Sequence, residues 1–334
     1  MSRRGQEADT RAGVTLGEDE EQGEGAAPVP ARPAPVRPGP TLRSRFPRRL
    51  QVLAALAALA GCAALGIDAF LVEPGWIEVV RSIEFVPSLR ASAPDLLLVH
   101  LSDTHIRDLG PRERRAIRIV NAAQPDLIVI TGDIVHGESD PLAVEAFLGS
   151  LRARYGKFLV WGNHDHYRKT VEGWAPGAVS RAGFVLLNNA NRRVDTPAGR
   201  IDIAGIDDPV TGHDNLKTAM VGVSRRDFCV LLSHSPEIVR SIGNWDIDMV
   251  LAGHTHGGQV RLPWLGAIVV PFGTRPYVEG WYDAPGDVRV HVNQGLGWSY
   301  LPVRFLCRPR LDLITLRGGL PAGTRPRASI VGRS

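Results

Sequence analysis

The chain has 334 residues, of which 44% are hydrophobic and 22% charged, with a formal net charge of +4. That length holds one large domain or two ordinary ones, and the apolar fraction supports a substantial core. No basic run interleaved with aromatics is present, which argues against a nucleic-acid-binding surface, and three cysteines (Cys62, Cys229, Cys307) are too few for a disulfide scaffold.

Residues 1–49 read as a disordered Arg/Pro-rich tail. Residues 1–25 carry three Arg against seven acids, and 26–49 carry six Arg, seven Pro and no acid. The next 18 residues, Leu50 to Ile67, contain one polar side chain, Gln51. With the following AFLV they predict a transmembrane or signal-anchor segment over 50–72, since about 20 helical residues cross a hydrocarbon core. Arginines precede this segment and Glu73 follows it, which places the N-terminus on the cytoplasmic side and the large domain outside. Two processing alternatives stay open: LAGC (Leu59 to Cys62) resembles a lipoprotein box, and ALA (Ala58 to Ala60) a signal-peptidase site.

From about Asp95, short apolar runs alternate with helical patterns. DLLLVHLSD, DLIVITGD, KFLVWGN, FCVLLSH and IDMVLAGH predict strands, and PRERRAIRIVNAA and PLAVEAFLGSLRARY predict helices. Strand–helix alternation implies largely parallel strands covered on both faces. RRVDTPAGRIDIAGI reads as a hairpin, so the sheet system is mixed. Residues 73–318 form the expected catalytic domain and 319–334 an expected flexible tail.

Each of the five predicted strands ends in a polar cluster, where α/β sheets bind ligands. SDTH supplies Asp103 and His105, TGD supplies Asp133, GNHD supplies Asn163 and His164, LLSH supplies His234, and GHTH supplies His254 and His256. Carboxylate, imidazole and amide oxygen without thiolate suit Mn, Fe or Zn rather than Ca. Seven donors (Asp103, His105, Asp133, Asn163, His234, His254, His256) exceed the need of one tetrahedral ion and suit two divalent metal ions sharing a carboxylate. In an extended segment, residues i and i+2 face one side, so D-x-H and H-x-H can each address one cavity. Gly132, Gly162 and Gly253 mark tight turns before donors, and Gly257 and Gly258 would let a substrate approach the backbone. His100 reads as a core residue, His213 and His291 as positions without a role, and His136 and His166 as groups near the site.

The ordered blocks D-x-H, G-D, G-N-H-D, a lone H and G-H-T-H resemble the calcineurin-like metallophosphoesterases over about Leu96 to Leu316. The longer GHTHGGQVRLP and VNQGLGWS are similar to its bacterial membrane-anchored YaeI/YkuE-like phosphodiesterase branch. The resemblance implies a four-layer α/β/β/α sandwich of two mixed sheets, here preceded by a single transmembrane helix. It implies a first metal on Asp103, His105 and His256, a second on Asn163, His234 and His254, and Asp133 bridging. Asn163 and His164 would bind substrate, with His164 as catalytic acid. His136 stands where many members carry an orienting Asp, and Asp165 could replace that Asp.

The expected function is hydrolysis of phosphodiester or pyrophosphate bonds in small or lipid-linked substrates by a metal-bridging hydroxide. The catalytic domain would lie on the extracytoplasmic side of a bacterial inner membrane, with no nucleic-acid partner. The alternatives are a phosphomonoesterase, including a protein phosphatase, and a non-catalytic metal-binding scaffold.

Overall fold

Strands with no exposed face organise the protein. In the computed structural model, which describes residues 47–137, 139–167, 169–319 and 329–333, helix α1 (Arg48–Ile67) leads through two short turns into β1 (Glu78–Val86). There follow β2 (Leu96–Leu101), α2 (Pro111–Ala123), β3 (Leu127–Thr131), α3 (Pro141–Ser150), β4 (Gly156–Val160), α4 (Asn163–Tyr167), α5 (Ala175–Arg181) and β5 (Val185–Leu186). The hairpin β6 (Ala190–Thr196) and β7 (Gly199–Gly205), α6 (Leu216–Ala219), β8 (Phe228–Leu232) and β9 (Met249–Ala252) come next. Two short strands, β10 (Arg261–Leu262) and β11 (Gly266–Ala267), precede β12 (Gly280–Ala284), β13 (Val288–Val292), β14 (Arg310–Gly318) and β15 (Ser329–Arg333).

Two mixed sheets result, ordered β15-β1-β14-β2-β3-β4-β5 and β12-β13-β9-β8-β7-β6, beside a β10-β11 ribbon. Strands β2 to β5 run parallel, as do β7, β8, β9 and β13, and antiparallel pairs occur in both sheets. Alternate residues of the same apolar strand enter different seams, the period-2 rule acting inside a uniformly hydrophobic run. Ile128 and Ile130 of β3 pack with Val120 of α2 and Val144, Phe147 and Leu148 of α3. Leu127 and Val129 join Val230, Leu232 and Leu251 in a seam shared by the two sheets. Leu231 and Val250 point the other way, toward Leu216, Ile238 and Ile242.

α2, β2 to β4 and β6 to β9 fall where the sequence places them, β5 was not foreseen, and α1 is a 20-residue helix with no buried side chain. One helix among the described residues is long and apolar enough to cross a membrane. α3 stops at Ser150, short of the helical pattern, because the Lys157 ammonium donates to the carbonyls of Leu148 (3.4 Å), Leu151 (3.0 Å) and Ala182 (2.6 Å). A cation there satisfies the helix's unpaired C-terminal acceptors. The change of character expected near Asp95 comes earlier, since β1 already pairs in parallel with β14. Residues 319–334 were expected as a tail, yet Ser329–Arg333 adds an antiparallel edge strand to β1. Residues 1–46 of the expected Arg/Pro-rich tail lie outside the described residues.

Candidate metal centre

The loops after β2, β3 and β4 of one sheet and after β8 and β9 of the other converge at the carboxyl ends of their strands. Asp103, His105, Asp133 and His256 are buried, and each offers one donor atom within 4.8 Å of the others. His256 Nε2 lies 3.3 Å from Asp103 Oδ1 and 3.2 Å from His105 Nε2. On the far side of Asp133, His234 Nε2 lies 3.0 Å from both Asn163 Oδ1 and His254 Nδ1. Asp133 Oδ2 stands between the groups, 3.5 Å from His105 Nε2 and 3.4 Å from His234 Nε2. All seven sequence-predicted donors are therefore brought together.

The donor set fits cations. His105 Nδ1 donates to the Val135 carbonyl (3.1 Å) and His234 Nδ1 to the Thr131 carbonyl (2.9 Å). In its neutral form each ring then turns Nε2 toward the centre as a lone pair, the tautomer that ligation requires. Without a positive charge, donor atoms this close face one another unfavourably. Asp103 Oδ1 is buried with no hydrogen-bond partner among the described residues, while Asp103 Oδ2 accepts from the His254 amide at 3.0 Å. Burial pushes His105 and His254 down to about 3 and His256 well below the usual imidazole range, so all three are neutral at pH 7. Burial acts downward on His234 too, but the Asp133 carboxylate raises it well above that range.

The backbone here is strained. Asp103 (φ 47°), His105 (42°), Asp133 (52°), His254 (68°) and His256 (51°) all occupy left-handed conformations. Such positions cost on the order of 1–3 kcal/mol each and cluster at functional sites. The extended geometry expected for D-x-H and H-x-H is thus corrected: tight left-handed turns, not a strand pleat, aim both side chains inward. The glycines serve close approach. A Cβ on Gly253 would lie 1.7 Å from Ser102 Oγ, and one on Gly162 would lie 2.3 Å from Asp133 Oδ1. A Cβ on Gly257 would meet Cys307 and Gln294 and one on Gly258 would meet Ala267, and Gly258 lines the adjoining cavity.

Asp165 has no orienting geometry toward a catalytic acid. Its carboxylate accepts from the amides of Ile134 and Val135 (both 3.1 Å) and Gly162 (2.9 Å), stapling the β3 loop to the β4 loop. The His136 ring stands edge-on to His105, with centroids 5.7 Å apart. His100 is a core residue, 2.9 Å from Thr131 Oγ1 and 3.1 Å from His291 Nδ1. His291 is buried beside Asp312, at 3.5 Å, and belongs to that internal network. His166 Nε2 meets Asp207 Oδ1 at 2.7 Å, and His213 stacks on the His166 ring.

Sequence reasoning did not single out Arg304, which is fully buried and donates to the carbonyls of His256 (3.2 Å), Gln294 (2.9 Å) and Gly295 (3.2 Å). An isolated Arg in a loop carries no sequence signal for such a clamp. Nor were the walls of the adjoining cavity foreseen. That cavity, of about 650 Å³, is lined by Asp133, Asn163, His164, His254 and His256 together with Val269, Phe272 and Tyr300. The His164 ring lies 4.9 Å from His105 and 6.0 Å from Tyr300.

Residues 96–258 match the family model described as calcineurin-like phosphoesterase. The uncharacterized metallophosphoesterase YkuE of Bacillus subtilis is 35% identical over 66% of this chain and 78% of its own length. The chain belongs to the calcineurin-like metallophosphoesterase family, a class of metal-dependent phosphoester hydrolases. A transmembrane protein with metallophosphoesterase domain from Danio rerio is 30% identical over 80% of this chain and 63% of its own length. Phosphodiesterase YaeI of Escherichia coli is 29% identical over 73% and 90%.

Proposed function

We propose that the protein is a membrane-anchored phosphodiesterase or pyrophosphatase acting on small or lipid-linked phosphoesters, carried on an α/β/β/α sandwich over residues 73–318. The observation that carries this reading is the Asp133 carboxylate, flanked at 3.5 and 3.4 Å by imidazoles of two separate donor groups. Asp103, His105 and His256 would hold one divalent cation, Asn163, His234 and His254 a second, and Asp133 both. Mn, Fe or Zn suits the nitrogen and oxygen donors. Bound there, two such cations acidify water and offset charge on a phosphoryl group.

The chain's own groups do the rest. Asn163 presents its amide at the cavity floor, and His164, exposed to the cavity, is placed to protonate the leaving oxygen. Among the described residues the lining includes Glu237 and no Lys or Arg, with an apolar wall of Val269 and Phe272. That apolar wall favours a diester, whose second substituent it can take, over a monoester. α1 would cross the membrane with its arginines inside, leaving the catalytic domain extracytoplasmic. The similarity to a transmembrane protein and to a phosphodiesterase supports both points. The test is turnover of bis(p-nitrophenyl) phosphate against p-nitrophenyl phosphate by metal-reconstituted protein. Faster diester hydrolysis is expected, and a preference for the monoester would replace the reading with a phosphomonoesterase.

A further inference from the structure

Beside the cavity the chain displays apolar side chains that a water-soluble surface does not require. The β10–β11 ribbon carries Trp264 and Leu265 at its tip, the first wholly exposed and the second 70% exposed. Trp264 is held there at φ 64°, a strained conformation for a bulky residue. Val269, Phe272, Tyr300 and Leu301 continue the exposed apolar rim. Val269, Phe272 and Tyr300 also line the cavity, so its wall and its outer rim are the same residues. Exposed apolar side chains in this number mark an interaction site.

The hydrogen bonds identify the occupant. Arg261 N donates to the Phe305 carbonyl and Phe305 N to the Gln259 carbonyl, both at 2.9 Å, tying the ribbon to residues 304–307. That same segment is tied to the foot of the apolar helix: Arg304 N donates to the Ala69 carbonyl at 2.9 Å. The Glu73 carboxylate accepts from Leu306 N (2.8 Å) and Cys307 N (2.7 Å). Arg308 stacks on Trp76 at 3.7 Å, a pairing suited to the headgroup level. Trp264 lies three residues past Arg261, at most about 10 Å of extended chain. A helix that leaves a bilayer at Ile67 therefore brings the ribbon tip to its surface.

Resting on the anchored-phosphodiesterase reading above, we propose that the Trp264–Leu265 tip and the Phe272/Tyr300 rim are a second bilayer contact. They seat the cavity mouth on the lipid surface, so that the substrate enters as a membrane-resident phosphoester whose acyl chains stay in the bilayer. Aromatics at the rim suit this depth, where one edge is apolar and the other wet.

The test uses the full chain in nanodiscs containing acyl-brominated phosphatidylglycerol and phosphatidylcholine, with Trp264→Phe as reference. The emission that Trp264 adds to the wild type should be quenched by the brominated chains. Emission quenched only by aqueous iodide would overturn the proposal, and emission shielded from both quenchers would assign the tip to a second copy of the chain. In parallel, Trp264→Ser/Leu265→Ser should keep its rate on bis(p-nitrophenyl) phosphate within about twofold, while kcat/KM on a bilayer-presented phospholipid diester falls at least about tenfold. An equal fall on both substrates would also overturn it. Wild-type protein inactive on every diester would sink the phosphodiesterase reading instead, and the quenching arm would still decide the bilayer contact.

Discussion

Gly162→Ala probes whether close backbone approach builds the metal centre. Gly162 lies outside the left-handed region, so alanine meets no conformational penalty of its own. Its Cβ, however, would stand 2.3 Å from Asp133 Oδ1, 2.6 Å from the Asp133 backbone nitrogen and 2.8 Å from His234 Nδ1. None can yield freely. The Gly162 amide is held by Asp165, which also holds Ile134 and Val135, and His234 Nδ1 is committed to the Thr131 carbonyl. Overpacking of this kind costs about 1–3 kcal/mol. Urea unfolding of chelator-stripped protein should show that loss, and elemental analysis after metal loading should show less than the wild-type metal content. Gly149→Ala is the control, because its nearest neighbour is Ala182 Cα at 3.9 Å. A helix position of that kind should be neutral or gain up to about 1 kcal/mol. Gly162→Ala protein with wild-type metal content and turnover would refute the reasoning.

Three further outcomes are expected. His164→Ala should lower turnover by roughly 10²–10⁴ while elemental analysis finds the metal content intact; equal metal loss would contradict a role in proton transfer. Asp133→Asn should lose both cations, as measured by titration calorimetry, and a fully loaded, active variant would count against a shared carboxylate. Burial acts upward on Asp312, but His291 and Arg310 hold its carboxyl well below the usual range. A depressed carboxyl contributes stability above its unfolded pKa, about 4, that is lost as pH falls toward its folded value. The gap in unfolding free energy between wild type and Asp312→Asn should therefore narrow from pH 7 to pH 3, and a widening gap would reverse the sign.

Strands β3, β8 and β9 were legible because every residue is buried, so the apolar run itself is the signal. β1 was less so: Ser82 and Glu84 are buried within it, and Glu84 is paired at 3.0 Å with Arg289, a partner 205 positions away. The donors were legible by residue type and by their position at strand ends. Their left-handed backbone was not, since Asp and His carry no mark of it in sequence. Asp165 shows the same limit from another direction. Its place in GNHD suggested contact with a neighbouring imidazole, yet the fold turns its carboxylate onto three amides. The cavity wall was invisible because Val269, Phe272 and Tyr300 belong to loops without periodicity, adjacent only once both sheets have formed.

Asp103, Asp133 and Asn163 hang from one sheet, and His234, His254 and His256 from the other. Neither half of the polypeptide owns a complete set of candidate ligands. During synthesis the pocket cannot be finished until position 256 has emerged and the seam has closed, and Arg304 must arrive later still to lock the loop. The candidate ligand set is thus completed only by closure of the seam between the two sheets.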